Sequence, residues 1–283
     1  MSCCKKVLQI HRTARKTNVW LLKQMKSEFS LEAKMARPRL SYFRHESLEK
    51  DSNACSGMSV KDKAKLQLKK FDIGDRFSHF PGGKASVLLP LMVKDGKLHL
   101  LFTVRSMKLR RSPGEVCFPG GRSEPTDKDE ISTALREAQE EVGLHPEQAE
   151  VICRLVPLID RTDSLVTPVV AFIEDTFQAR PNPEEVSDTF FVPLEYFIRP
   201  SKYNVVTIQI NGLPYLVHSF EYDDPERKTS FRIVGLTANF AVFLALAIFG
   251  EKPTFEVQYD LDNLNSSAMD SFLPQYERVK SKL

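Results

Sequence analysis

The sequence predicts a layered α/β domain built on a mixed sheet, and three observations carry that reading. Short apolar runs of strand length, bounded by turn residues, recur at 86–104, 150–173 and 205–222. One segment with helical spacing, 129–142, stops at Gly143. A second run, Leu236 to Phe249, is too short and too polar at its start to span a bilayer and reads as a buried helix ending at Gly250. Strands interleaved with helices in this order fit one sheet covered by helices.

The elements follow in chain order. Residues 1–58 show little periodicity and close in a polar run, Asp51 to Gly57, so a basic, disordered N-terminal extension is expected. Residues 59–83 form a short basic helix, capped by Ser59, and a linker. The main domain spans 84–260. Ser86 to Val93 and Leu98 to Val104 are strands joined through Asp95-Gly96, a hairpin turn. Val116-Cys117-Phe118 enters the Pro119-Gly120-Gly121 turn, and the helix from Asp129 to Val142 follows. Strands are expected at Glu150 to Ile159 and Val166 to Ile173, then Phe190 to Val192 leading into a short element, Leu194 to Ile198. Asn211-Gly212 between Val205–Ile210 and Tyr215–Tyr222 predicts a second hairpin. Residues 261–283 are expected as a C-terminal tail.

The composition is 42% hydrophobic and 27% charged, with mean hydropathy −0.29, as in a globular protein with a real core. The net charge of +3 is unevenly divided. Residues 1–50 hold 12 Lys/Arg against 4 Asp/Glu, and the rest holds 28 against 33. The basic excess therefore belongs to the leading segment, and no nucleic-acid partner is expected for the body. Five cysteines, scattered and odd in number, do not make a disulfide framework. Cys117 and Cys153 read as buried small residues, and no histidine has ligand spacing.

The most informative stretch is Arg136 to Leu144, with Glu137, Glu140 and Glu141 on one stripe of a helix. Like charges so placed repel, and a solvated helix gains little from them. A hard divalent cation such as Mg²⁺ offsets the repulsion, because it takes oxygen ligands and is shared with substrate phosphates. Upstream, Arg105, Arg110 and Arg111 stand near the glycine turn, and guanidinium groups match phosphate oxygens. Gly120 and Gly121 permit close backbone approach.

Gly121 followed by Arg136-Glu137-x-x-Glu140-Glu141-x-Gly143-Leu144 resembles the Nudix signature. Ala138 is small for its apolar position. Gly121 to Arg136 is one residue longer than the family pattern, so the upstream glutamate falls on Lys128, with Asp127 and Asp129 beside it. That moves the expected chemistry off the upstream acid and onto the helix. Residues 101–121 (LFTVRSMKLRRSPGEVCFPGG) are similar to the extended motif of the coenzyme A diphosphatase branch, through Thr103, Arg105, Ser106, Arg110, Gly114, Phe118, Pro119, Gly120 and Gly121, with Phe102 in place of a leucine; with the final Ser281-Lys282-Leu283 the chain resembles the peroxisomal members of that branch.

This resemblance implies a Nudix-type α/β/α sandwich and metal-dependent hydrolysis of the pyrophosphate of coenzyme A and its acyl or disulfide derivatives, giving 3′,5′-ADP and 4′-phosphopantetheine. It implies Mg²⁺ or Mn²⁺ held by Glu137, Glu140 and Glu141, with Arg136 orienting the glutamates. The general base is a glutamate of the helix or Glu185, an acid in the loop after Asn182-Pro183. Substrate contacts are assigned to Arg105, Ser106, Arg110, Arg111, Gly120 and Gly121. The alternatives are hydrolysis of another nucleoside diphosphate derivative (ADP-ribose, NADH or capped RNA) and an inactive Nudix binding module.

Ser281-Lys282-Leu283 matches a peroxisomal address read by an import receptor, so the peroxisomal matrix is the expected compartment. The basic, acid-poor start of the chain resembles a mitochondrial presequence, the alternative address. A third reading makes it an extension upstream of Met58.

Overall fold

Alternation along three central strands decides which residues face which helix. The computed structural model describes residues 57–210 and 213–282. Most of the expected N-terminal extension, the Asn211-Gly212 turn and Leu283 lie outside the described residues. Strands β1 (Lys84–Lys94), β2 (Lys97–Arg105), β3 (Val116–Cys117), β4 (Gly120–Arg122), β5 (Ala149–Arg154), β6 (Leu158–Ile159), β7 (Leu165–Ile173) and β8 (Val186–Pro193) form one sheet. β1 runs parallel to β7, and the other pairings are antiparallel, so the sheet is mixed.

Side chains along a strand point alternately to opposite faces. Leu88 and Met92 of β1, Leu101 of β2, and Val169, Ala171 and Ile173 of β7 share one face with Ala134, Ala138 and Val142 of helix α2 (Glu130–Val142). Leu89, Leu91, Leu100, Phe102, Val170 and Phe172 take the other face, in the core that includes Ala238, Phe240 and Val242 of helix α3 (Gly235–Phe249). Helices thus cover both sides of the sheet. Helix α1 (Val60–Leu68), capped by the Ser59 hydroxyl as the sequence suggests, adds Ala64 and Leu68 to the α3 side.

The ends of α2 are fixed chemically. The Asp129 carboxylate accepts from the Ser132 backbone N–H at 2.8 Å, and the Ser132 hydroxyl accepts from the Asp129 N–H at 2.9 Å. This reciprocal box satisfies two donors that a helix start otherwise leaves unpaired. At the other end Gly143 is left-handed, with φ +70°, and its N–H reaches the carbonyls of Ala138 and Gln139. The expected hairpin between β1 and β2 is formed, with positive φ at both Asp95 and Gly96.

The structure departs from the sequence reading in three places. The strand expected over Glu150 to Ile159 breaks into β5 and β6 opposite Pro168 of β7, which has no N–H to donate. Residues 203–234 form a separate antiparallel sheet of β9 (Tyr203–Ile210), β10 (Leu213–Asp224) and β11 (Thr229–Val234), the last of which has no counterpart in the sequence reading. The expected tail folds into helix α4 (Leu264–Lys280), which buries Leu264, Ala268 and Phe272 at intervals of four. The Phe272 ring meets Phe77 edge-on, with centroids 5.0 Å apart.

Candidate active site

Helix α2 presents Glu137 and Glu141 one turn apart, and β4 lies close across them. The Gly120 N–H donates to Glu141 Oε2 at 3.2 Å. A side chain at Gly121 would collide with the Glu137 carboxylate, and a Cβ at Gly120 would come 2.6 Å from the Val87 Cα. Gly120 is therefore required by backbone space, and Gly121 leaves the Glu137 carboxylate the room it occupies. The third acid, Glu185, comes from the loop before β8. One carboxylate oxygen from each of Glu137, Glu141 and Glu185 lies within 4.8 Å of the other two.

The structure thus brings together three of the four glutamates singled out from sequence. Glu140 stands apart, with its side chain 52% exposed and accepting from Arg136 Nη1 at 3.1 Å. Its placement follows from helix geometry: Glu137 and Glu141 share an i, i+4 row that faces β4, while Glu140 sits one row over, toward Arg136.

Arg136 sits at the centre of a polar network. Its Nε and Nη2 donate to the two oxygens of Asp127, both at 3.0 Å, and Nη2 also reaches the Arg122 carbonyl. Nη1 contacts Glu137 at 3.1 Å. Asp127 accepts further bonds from the Thr133 hydroxyl and the Glu124 N–H, and its side chain is only 6% exposed. The Arg136 guanidinium leads in holding the Asp127 carboxyl down to about 2. The upstream acid that the lengthened turn seemed to lose is thus supplied by Asp127. The signal was present in the sequence as an acid one residue before Lys128, but only the folded turn shows that it reaches Arg136.

Electrostatics at the trio favour a cation. Burial pushes the Glu141 carboxyl up to about 8, the charges of Glu137 and Glu185 add to the rise, and the Gly120 N–H opposes it. Burial likewise raises Glu137, against the pull of Arg136. Three hard oxygen donors, crowded and partly desolvated, fit a divalent cation, which relieves both repulsion and burial. Cys117 lies nearby on β3, and burial pushes its thiol up to about 11, so it supplies no thiolate.

The arginine loop flanks this cluster. Arg105 ends β2 at a register shift; its N–H donates to the Glu115 carbonyl at 2.9 Å and its Nε to the Arg111 carbonyl at 3.3 Å. Its positive charge favours ionised Glu141. Arg110 and Arg111 are exposed, and no salt bridge among the described residues engages them. Ser106, assigned to substrate from sequence, is instead 4% exposed, with its hydroxyl donating to the Pro183 carbonyl at 3.1 Å. Of the address residues, Ser281 donates to the Arg278 carbonyl and Lys282 pairs with Asp163 at 3.1 Å. Among the described residues, no helix is long and apolar enough to cross a membrane.

Comparison with known proteins places the chain in a family. The NUDIX domain family model matches residues 79–208. Peroxisomal coenzyme A diphosphatase NUDT7 of Mus musculus is 51% identical over 219 residues, which is 77% of this chain and 93% of the mouse protein. Nudix hydrolase 15, mitochondrial, of Arabidopsis thaliana is 36% identical over 179 residues, 62% of each chain. Among solved structures, a C. elegans Ap4A hydrolase binary complex is 22% identical with a TM-score of 0.36, covering 41% of this chain and 84% of that one. With half of all aligned positions shared over nearly the full length of the mouse enzyme, and the carboxylate helix inside the matched domain, the chain belongs to the Nudix family.

Proposed function

We propose that the protein hydrolyses the pyrophosphate bond of coenzyme A and of its acyl and disulfide derivatives, releasing 3′,5′-ADP and the corresponding 4′-phosphopantetheine. One observation carries the reading: Glu137, Glu141 and Glu185 converge beside a loop that bears Arg105, Arg110 and Arg111. The name of the mouse relative supports the substrate.

Glu137, Glu141 and Glu185 would hold a divalent cation, Mg²⁺ or Mn²⁺. When bound, it neutralises pyrophosphate charge and makes water more acidic. The chain's own residues do the rest. Arg136, anchored by Asp127, fixes the Glu137 side chain on α2. The Gly120 N–H holds Glu141 in place. A glutamate of the helix or Glu185, on the loop before β8, accepts the proton of the attacking water. Arg105 and Arg110 bind phosphate oxygens, and the basic 105–111 segment takes among them the 3′-phosphate that distinguishes coenzyme A. The peroxisomal matrix is the compartment, as the name of the mouse relative suggests.

Mass spectrometry of products formed from coenzyme A with Mg²⁺ in H₂¹⁸O tests the proposal. The expected products are 3′,5′-ADP and 4′-phosphopantetheine, with one ¹⁸O atom on one of them. Intact coenzyme A alongside hydrolysed ADP-ribose or NADH would move the protein to another substrate.

A further inference from the structure

Ser106 belongs to the substrate-selecting motif, yet both hydrogen bonds it donates run to the loop that carries Glu185. Its N–H donates to the Glu185 carbonyl at 2.8 Å, and its hydroxyl donates to the Pro183 carbonyl at 3.1 Å. The same hydroxyl accepts from the Lys108 N–H at 3.4 Å, and the residue is 4% exposed, so its one proton is already donated and little of it meets solvent. Contacts on either side continue the seam. Ser187 donates to the Val104 carbonyl at 3.1 Å, Lys108 pairs with Glu184, and Arg105 stands opposite Val186 where the β2–β8 ladder shifts register. Within the 182–186 turn, Glu185 and Val186 both donate back to the Asn182 carbonyl, which leaves Ser106 as the tie from outside the turn at Glu185 itself.

We infer that Ser106 is a positioning residue, which sets where the Glu185 carboxylate stands relative to Glu137 and Glu141, and that it does not contact substrate. The hydroxyl matters because it ties the carbonyl of the otherwise exposed Pro183 to the buried base of the arginine loop; without it that carbonyl turns to water and the 182–186 turn is free to shift. Such a shift carries Glu185 away from the other two acids. Through this seam the arginine loop and the metal cluster share one hinge, so a motif read as substrate recognition also assembles the catalytic half. The inference rests on Glu185 acting in the cluster, as proposed above, and is independent of which pyrophosphate is cleaved.

A double-mutant cycle between Ser106→Ala and Glu185→Gln tests it, on whichever pyrophosphate the protein hydrolyses best. Ser106→Ala is expected to lower kcat about tenfold, the scale of one misplaced hydrogen bond, with KM within about twofold. In the Glu185→Gln background the same change should cost less than about twofold, because there is no carboxylate left to position. Ser106→Thr, which restores the hydroxyl, should recover most of the loss. Mn²⁺ affinity, read by electron paramagnetic resonance without turnover, should weaken in Ser106→Ala and in Glu185→Gln, again without additivity. A rise in KM that is confined to coenzyme A, or a full tenfold loss retained in the Glu185→Gln background, would overturn the inference. A lowered melting temperature with unchanged kcat and Mn²⁺ affinity would overturn it as well. Failure to cleave coenzyme A would count against the substrate reading alone, since the cycle and the Mn²⁺ titration still report on Ser106.

Discussion

The helix that carries the carboxylates and the loop that carries the arginines meet at one site but are fixed to different degrees. Helix Glu130–Val142 is capped at both ends, buries Ala134, Ala138 and Val142, and has its one arginine bound on three sides by acids and a carbonyl. The 105–115 loop is pinned at its base, through Arg105, Ser106 and Gly114, while Arg110 and Arg111 at its tip are exposed. A crowded set of acids repels itself and must be held by the fold, whereas solvated guanidinium groups need no partner until phosphate arrives. Catalytic geometry is thus built in, and recognition is left for the substrate to complete.

The largest expected effect lies on the helix. Glu141→Gln should lower kcat by about 10³-fold or more with the fold intact, because a carboxamide cannot hold the cation as a carboxylate does. Its stability should carry a pH signature too. Burial raises the folded Glu141 carboxyl to about 8, against an ordinary 4.5. The metal-free wild type therefore gains stability from the protonated form below about pH 4.5, and loses it as pH rises through 8. Melting curves of metal-free wild type should fall by several degrees from pH 5 to pH 8. Glu141→Gln should flatten that slope, and Mg²⁺ should restore the wild type at pH 8. Wild-type turnover in purified Glu141→Gln would make the metal assignment wrong.

Next in size is the anchor behind the helix. Asp127→Ala strips Arg136 of two charged hydrogen bonds at a side chain that is only 6% exposed. We expect a loss of about 2 kcal/mol in stability and a fall of about ten- to a hundredfold in kcat, as Arg136 swings toward Glu140. Lys128→Ala, at the position where the family pattern places the acid, should change stability by no more than about 0.5 kcal/mol. Urea unfolding and steady-state kinetics on both variants check the pair, and equal behaviour of the two would remove Asp127 from the network.

Asp127 also marks where the sequence stops being readable. Both ends of the helix were legible, because Asp129, Ser132 and Gly143 act within a few residues of themselves. The Glu137–Glu141 pairing was legible for the same reason, since one turn of helix fixes it. Whether the acid before the helix reaches Arg136 depends on the path of the 122–129 turn, which no local rule sets. Glu185 could be named as a loop acid near an Asn-Pro turn, but its convergence on α2 comes from the antiparallel pairing of β8 with β2. Ser106 is a related case: motif membership marks it as functional, and the long-range bond to Pro183, which motivates the positioning role inferred above, depends on the fold. Helix Leu264–Lys280 was missed because its apolar stripe, Leu264, Ala268 and Phe272, is thin and has meaning only against Phe77 and its neighbours.

The smallest effect is expected at the tip of the loop, and it separates the two regions most cleanly. Arg110 is exposed and holds up nothing in the fold, so Arg110→Ala should leave the melting temperature unchanged. If it binds substrate phosphate equally in the ground and transition states, KM for coenzyme A should rise about five- to tenfold with kcat within about twofold. Dephospho-coenzyme A, which lacks the 3′-phosphate, should feel the change less. The contact is solvent-screened, so raising salt should increase KM in the wild type and erase much of its advantage over the variant. Glu137, held by Arg136, and the buried Glu141, held by the Gly120 N–H, should show no such dependence in kcat. A parallel fall in kcat for Arg110→Ala would mean that the loop, too, acts in the transition state, and the division between a built-in catalytic half and a substrate-completed half would not stand.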